Sequence, residues 1–393
     1  MNLDFSQSLL LLGGLLACAA ALSGWLRASV LSMSVLAVVA GLVLASFDVV
    51  SVDPESDVVK HIVELALIVT LFSDGLFVER ELLARHWGPP ARALVLAMPI
   101  TLALLAVFAL AVFPALTVAE CFLLAAVLTP TDPVVTSTVV TAKRVPALVR
   151  HTLNLESGLN DGLALPFVLF FLTLAEPGGN AASAGLELLA KVGLGALIGV
   201  VIAYVGGRAL TRLPGGGLTR SYEGVYALGL ALFAYGLATE TYGNGLIAAF
   251  VAGVALGVAE HDVPKAFSEF NENVSLVLQV GVFFIFGALM ISTGWHHSIP
   301  ALVAFILFAL VVARPVAVLA SLAGTRLGSA IKLFIAWFGP KGVASMLFAL
   351  LVLKSSAPHA GRVFEIASFA ILSSIIAHGL TDTIGTRWIE KRS

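Results

Sequence analysis

The chain has 393 residues, of which 59% are hydrophobic and only 12% charged, with a mean hydropathy of +1.02; an average soluble domain carries roughly 25% charged residues. Its 22 Lys and Arg against 24 Asp and Glu give a formal charge of −2, which offers no basic surface to a nucleic acid. Composition thus predicts an all-α polytopic membrane protein with loops too short for a separate soluble domain.

From the N-terminus, Met1 to Ser8 carry Asp4 and no basic residue, so the first apolar segment lacks the charged start of a cleavable signal and is expected to remain a helix. Apolar runs broken by Pro, Gly and charge predict thirteen spans, near 9-26, 30-48, 59-78, 92-113, 118-140, 148-174, 184-210, 222-239, 243-259, 270-292, 298-323, 329-354 and 364-387. Cys18 and Cys121 fall inside apolar segments and read as small hydrophobes. Of the 22 basic residues, 16 lie on the side that follows odd-numbered spans, only Lys60, Lys191, Lys354 and Arg362 lie opposite, and Arg314 and Lys341 fall within spans. The positive-inside rule then predicts an outer N-terminus and a cytoplasmic C-terminus. Asp48, Asp53, Glu55 and Asp57 form an acidic outer loop, and Arg80, Arg85 and Arg92 read as a topology signal.

Two spans are interrupted at mid-length, the fifth at Pro130 and Pro133 and the twelfth at Gly339-Pro340-Lys341-Gly342. They are seven spans apart, and because seven is odd, equivalent helices run in opposite directions. That is the arithmetic of an inverted repeat relating spans 1-6 to spans 8-13, with two discontinuous helices (5 and 12) crossing at a midplane site. Asp132 and Lys341 are suited to offset the half-helix dipoles exposed there.

Span six carries Glu156-Ser157-Gly158-Leu159-Asn160-Asp161. Spacings of three and four put Glu156, Ser157, Asn160 and Asp161 on one face or adjoining faces, with Asp161 near the depth of Thr131-Asp132. Buried carboxylates are costly in hydrocarbon, and the cluster supplies the carboxylate, hydroxyl and carbonyl oxygens that a hard monovalent cation prefers. Asp161, Asp132, Thr131 and Ser157 are the candidate Na⁺ ligands, Asn160 adjoins them, and no resident cofactor is expected. Glu156 needs a buried cation, and Arg314 in span eleven is available as a structural ion pair. Asp74 reads as a residue of the cytoplasmic funnel or a helix-terminal carboxylate, and Glu64 as structural. His86, His151 and His261 read as ordinary cytoplasmic-side residues.

These motifs resemble the monovalent cation:proton antiporter superfamily, in its sodium/proton exchanger (NhaP/NHE-like) branch with an Asn-Asp pair. The resemblance rests on Thr131-Asp132-Pro133 and on Glu156 to Asp161, supported by Phe72 to Leu76, Arg314-Pro315 and Gly339 to Gly342. It implies that Asp161 is the central ion- and proton-binding carboxylate, assisted by Asp132, Thr131 and Ser157, with Glu156 paired to Arg314. It also implies a homodimer in a lipid membrane, with an ion-binding core from spans 3-6 and 10-13 (about 59-174 and 270-393) moving against a dimerisation part from spans 1-2 and 7-9 (about 9-48 and 184-259). Lys341 stands where many exchangers have arginine, and few residues follow the last span, so the long tail of eukaryotic exchangers is not expected.

The expected activity is electroneutral exchange of one Na⁺ or Li⁺ for one H⁺ by alternating access at Asp161, without enzymatic chemistry, in a prokaryotic plasma membrane. K⁺/H⁺ antiport and sodium-coupled solute symport are the alternatives. An intramembrane aspartyl protease using Asp132 and Asp161 is opposed by the missing Gly-x-Gly-Asp signature.

Overall fold

The computed structural model describes residues 5–26, 33–54, 56–76, 78, 87–132, 139, 145–212, 219–259, 265–292 and 298–392. Asp4, Glu55, Arg80, Arg85, His86, Pro133 and His261, all singled out above, lie outside them. Every regular element among the described residues is helical: α1 Phe5–Leu26, α2 Met33–Ser46, α3 Asp57–Leu76, α4 Gly88–Val112, α5 Val118–Val127, α6 Ala147–Ala175 and α7 Ala181–Arg212. They continue with α8 Arg220–Glu240, α9 Gly245–Ala259, α10 Lys265–Ser292, α11 Ile299–Ser321, α12 Ser329–Trp337, α13 Val343–Leu353 and α14 Ala360–Glu390. Helices α12 and α13 are the halves of the interrupted twelfth span; of the fifth, predicted over 118-140, the first half appears as α5, and most of the remainder lies outside the described residues. Among the described residues, six helices are long and apolar enough to cross a membrane: α4, α6, α7, α10, α11 and α14. With its short apolar helices, this is an integral membrane protein.

The inverted repeat is written in the packing. Helix α2 lies along α10 and α3 along α9, and both contacts are close because glycines face backbone across them. A Cβ on Gly41 would sit 2.0 Å from the Phe284 carbonyl oxygen, and one on Gly287 2.0 Å from that of Val38. In the second pair, Cβ atoms on Gly75 and Gly253 would sit 2.6 and 2.2 Å from the carbonyl oxygens of Phe250 and Phe72. Small residues are how membrane helices bring backbones together. Gly41 and Gly253 are 212 residues apart, and so are Gly75 and Gly287.

A second echo lies in α4 and α11, seven spans apart. Each contains one stretch of π-helix, Ala93–Ala97 and Phe308–Ala313, and each stretch is followed two residues on by a proline, Pro99 or Pro315. A proline lacks the N–H that would bond four residues back, and a widened turn relieves the clash of its ring. The two helices meet through stacked rings, with Phe108 and Phe308 centroids 4.0 Å apart.

Spans three and ten are expected in the ion-binding core, yet α3 and α10 pack mainly with α9, α2 and each other. The seam glycines cause this, because they let those pairs approach more closely than bulkier faces could. Helices α4, α5, α6, α11, α12, α13 and α14 pack among themselves, and α3 meets them along α6 and α13.

Candidate ion site

The site forms where the two interruptions cross. Helix α5 is started by a capping box, Thr117 accepting from the Glu120 N–H and Glu120 from the Thr117 N–H, and it ends at Val127. The chain then runs non-helically through Thr131 and Asp132 against the Gly339–Gly342 break. The Asp132 N–H donates to the Pro340 carbonyl at 2.9 Å, and the Asp132 carboxylate accepts the Val343 N–H at 3.2 Å. Gly342 makes this approach possible, since a Cβ there would fall 2.2 Å from Asp132 Cβ.

Each break supplies the charge that suits the other's helix end. Asp132 stands at the N-terminus of α13, where the dipole favours a negative group, and Lys341 Nζ reaches the Thr129 carbonyl, 3.4 Å away, just past the C-terminus of α5. Both side chains are buried.

Helix α6 brings the second set of residues. Asn160 Nδ2 donates to Thr131 Oγ1 at 2.8 Å and to the Thr131 carbonyl at 3.2 Å, which ties the α5 break to α6. One turn away, Glu156 and Arg314 form a bidentate pair, Nη1 to Oε1 at 2.7 Å and Nη2 to Oε2 at 3.2 Å, with both residues buried. The guanidinium lies over Gly339, where a Cβ would fall 1.8 Å from Nε, so the strut joins α6, α11 and the twelfth-span break. The pairing of Glu156 with Arg314 expected from charge balance is present.

Asp161 is buried, and its Oδ1 has no hydrogen-bond partner within the protein. Its carboxyl group lies beside that of Asp74 on α3, and the Asp132 charge is close to both. Helix α3 comes against α6 at Gly158, whose Cβ position lies 3.4 Å from the Asp74 carbonyl oxygen, and that approach carries Asp74 to the cluster. Ser157 and Thr131 are buried in the same region. Glu64, read as structural, hydrogen-bonds the Tyr235 hydroxyl and fastens α3 to α8.

The sequence reading missed a hub on α14. His378 is buried, with Nε2 2.9 Å from the Trp337 carbonyl at the end of α12 and Nδ1 3.3 Å from Ser374 Oγ. Ser374 Oγ in turn accepts the Lys341 N–H at 2.9 Å. These two residues hold both sides of the twelfth-span break, and the spacing of four within an apolar helix was the available signal. Among the described residues, no group of three or more His, Cys, Asp and Glu side chains is arranged to hold a metal ion by itself.

Residues 12–387 match the family described as sodium/hydrogen exchanger, transmembrane. The chain belongs to that family. Among curated relatives, a probable Na⁺/H⁺ antiporter of Schizosaccharomyces pombe is 28% identical over 82% of this chain and 47% of its own length. The K⁺/H⁺ antiporter NhaP of Alkalimonas amylolytica is 25% identical over 83% of this chain and 57% of its own. This family member therefore spans about half the length of the curated relatives it matches. Among solved structures, the sodium proton antiporter MjNhaP1 from Methanocaldococcus jannaschii superposes with a TM-score of 0.80 at 21% identity, over 99% of this chain and 98% of that one. The fold is shared essentially end to end.

Proposed function

We propose that the chain exchanges a monovalent cation for a proton by alternating access, with Na⁺ the preferred cation and Asp161 the carboxylate that carries either one. The observation that carries this reading is the convergence of Asp161, Asp74 and Asp132 on the crossing of two broken helices, next to the hydroxyl and carbonyl oxygens of Thr131. Such a cluster cannot cross an apolar barrier with its charge uncovered, and that requirement couples the two fluxes without ATP. Asp161, Asp74, Thr131 and Ser157 are the ligands we assign, with Asp132 supporting from the N-terminus of α13.

Charge counting supports a ratio of one to one. Arg314 matches Glu156, and Lys341 brings one positive group to the Thr129 carbonyl in the crossing that also holds Asp132, which leaves the Asp74–Asp161 pair. Two buried carboxylates side by side repel each other, which favours a proton on one of them. If that proton is retained, a single cation displaces the single further proton the pair can take, and exchange is electroneutral. The basic-residue asymmetry supports an outer N-terminus in a plasma membrane, and the family resemblance supports a homodimer.

K⁺ is the second reading, because relatives of similar identity are named for either ion. The test is cation-induced dissipation of a proton gradient in proteoliposomes, with Na⁺, Li⁺ and K⁺ added separately, for the parent and Asp161→Asn. Exchange lost in the variant and strongest with Na⁺ is the expected result. A response unaffected by the substitution would remove Asp161 from the mechanism, and a voltage-reversible current scaling with flux would refute electroneutrality.

A further inference from the structure

Beside the Glu156–Arg314 strut lies a nearly enclosed void of about 10 Å³, bounded by the π-helical turn of α4 and by Thr101, Thr129, Glu156, Asn160 and Arg314. Its volume is that of roughly one water molecule. Two buried polar atoms on its walls have no partner in the protein: Arg314 Nε, a donor, and Asn160 Oδ1, an acceptor. The two threonine hydroxyls have spent their protons, Thr101 on the Ala97 carbonyl at 2.8 Å and Thr129 on the Ala125 carbonyl at 2.7 Å, so each offers only lone pairs.

We propose that this void is a site for one structural water, which accepts from Arg314 Nε and donates to Asn160 Oδ1 and to a threonine hydroxyl, making Asn160 a positioning residue for Thr131. One donor, two acceptors and room for one molecule match what a buried water uses, about three hydrogen bonds. A bare cation is a poor occupant, because the guanidinium charge forms one wall. A second protein side chain is excluded by size.

The water also accounts for an amide at position 160. Its Nδ2 must face the Thr131 carbonyl and hydroxyl, so Oδ1 must face the other way, toward Arg314. Direct contact is not made, and one water completes the line from the guanidinium through Asn160 to Thr131. Reversing the amide would turn its NH₂ toward the donor edge of Arg314 and leave the Thr131 oxygens unheld. The Glu156–Arg314 strut thereby sets the orientation of a Thr131 carbonyl that the proposed function assigns to the ion, and this last step rests on that assignment.

The first test does not depend on transport: a density map of the parent in lipid nanodiscs that resolves ordered waters. A single peak within hydrogen-bonding distance of both Arg314 Nε and Asn160 Oδ1 is expected. A void without density, or Arg314 Nε bonded to a protein group, would overturn the proposal. The second test is the kinetics of Asn160→Asp, which keeps the acceptor toward the water and removes the donor to Thr131. The positioning role predicts a cation KM raised about fivefold, the factor of one neutral hydrogen bond, with a much smaller change in kcat. An unchanged KM in a variant that still exchanges would overturn the positioning role. Loss of exchange in the parent as well would count against the proposed function and leave the water site to be judged by its density.

Discussion

The glycine seams and the ion crossing are both products of the same inverted repeat, and they use it in opposite ways. At the seams the repeat is kept nearly residue for residue: Gly41 and Gly75 recur as Gly253 and Gly287, and each pair brings two backbones together. At the crossing only the backbone interruption recurs, while the side chains diverge. Counting on by the same 212 residues, Glu156 and Asp161 land on Ser368 and Ser373, and the proline-interrupted break that carries Asp132 is matched by one that carries Lys341. Symmetry builds the scaffold, and its loss on one side places net negative charge at a single spot. A substitution at the seams should therefore act on folding, and one at the crossing on transport.

Glu156 and Arg314 are where that separation should fail most visibly. Breaking a buried pair by removing one partner leaves an uncompensated charge and costs about 3–5 kcal/mol. Arg314→Met should therefore lower the unfolding midpoint of the detergent-solubilised protein more than Gly287→Ala, Asp74→Asn or Thr117→Ala, and adding Glu156→Gln should recover part of the loss. If the double variant melts no higher than Arg314→Met, the strut does not act as a pair. Asp161→Asn, by contrast, should abolish exchange with the melting midpoint close to that of the parent.

Gly287→Ala tests the other side. Its new methyl would meet the Val38 backbone at 2.0 Å, which no rotamer can relieve, so α2 and α10 must part. Overpacking of this kind costs about 1–3 kcal/mol, and thermal unfolding with the cation KM of the surviving protein is the measurement. A lower midpoint with KM unchanged is expected. A changed KM with unchanged stability would mean that the seam belongs to the ion pathway.

Asp74 lies on the boundary between the two regions, on the seam helix α3 but in contact with Asp161. Asp74→Asn should weaken cation binding while leaving the strut and its stability intact, and the change is read as a raised KM in the proteoliposome assay. A variant with the parent's KM would return Asp74 to a structural role.

Legibility in the sequence follows the same line. Spans were readable because apolar runs are long and their breakers are Pro, Gly and charge; even the short spans near 222-239 and 243-259 appear as Arg220–Glu240 and Gly245–Ala259. Glu156 and Arg314 could be paired by elimination, since a buried charge needs a partner and few were available. Asp74 could not be assigned, because its partner is 87 positions away and the packing of α3 against α6 is visible only in three dimensions. The grouping of α3 and α10 was hidden for the same reason. Pro99 and Pro315 marked the widened turns, yet a proline in a span does not say whether the helix bends, breaks or widens.

The smallest effect is expected at the N-terminal end of α5, away from both regions but joined to one of them. Thr117 Oγ1 accepts the Glu120 N–H at 3.2 Å, and buried Glu120 accepts the N–H of Thr117 and that of His359, each at 2.8 Å. One carboxylate thus ties the starts of α5 and α14, so the two core helices share an anchor beyond the membrane-depth crossing. Thr117→Ala removes only the hydroxyl half of the capping box and leaves the Glu120 contacts in place, a loss of about 1 kcal/mol. A modest fall in melting midpoint with exchange kinetics of the parent is the expected outcome. If exchange slowed instead, the start of α5 would have to move during transport, and the separation of a rigid repeat-built frame from the charged crossing would give way at its outer edge.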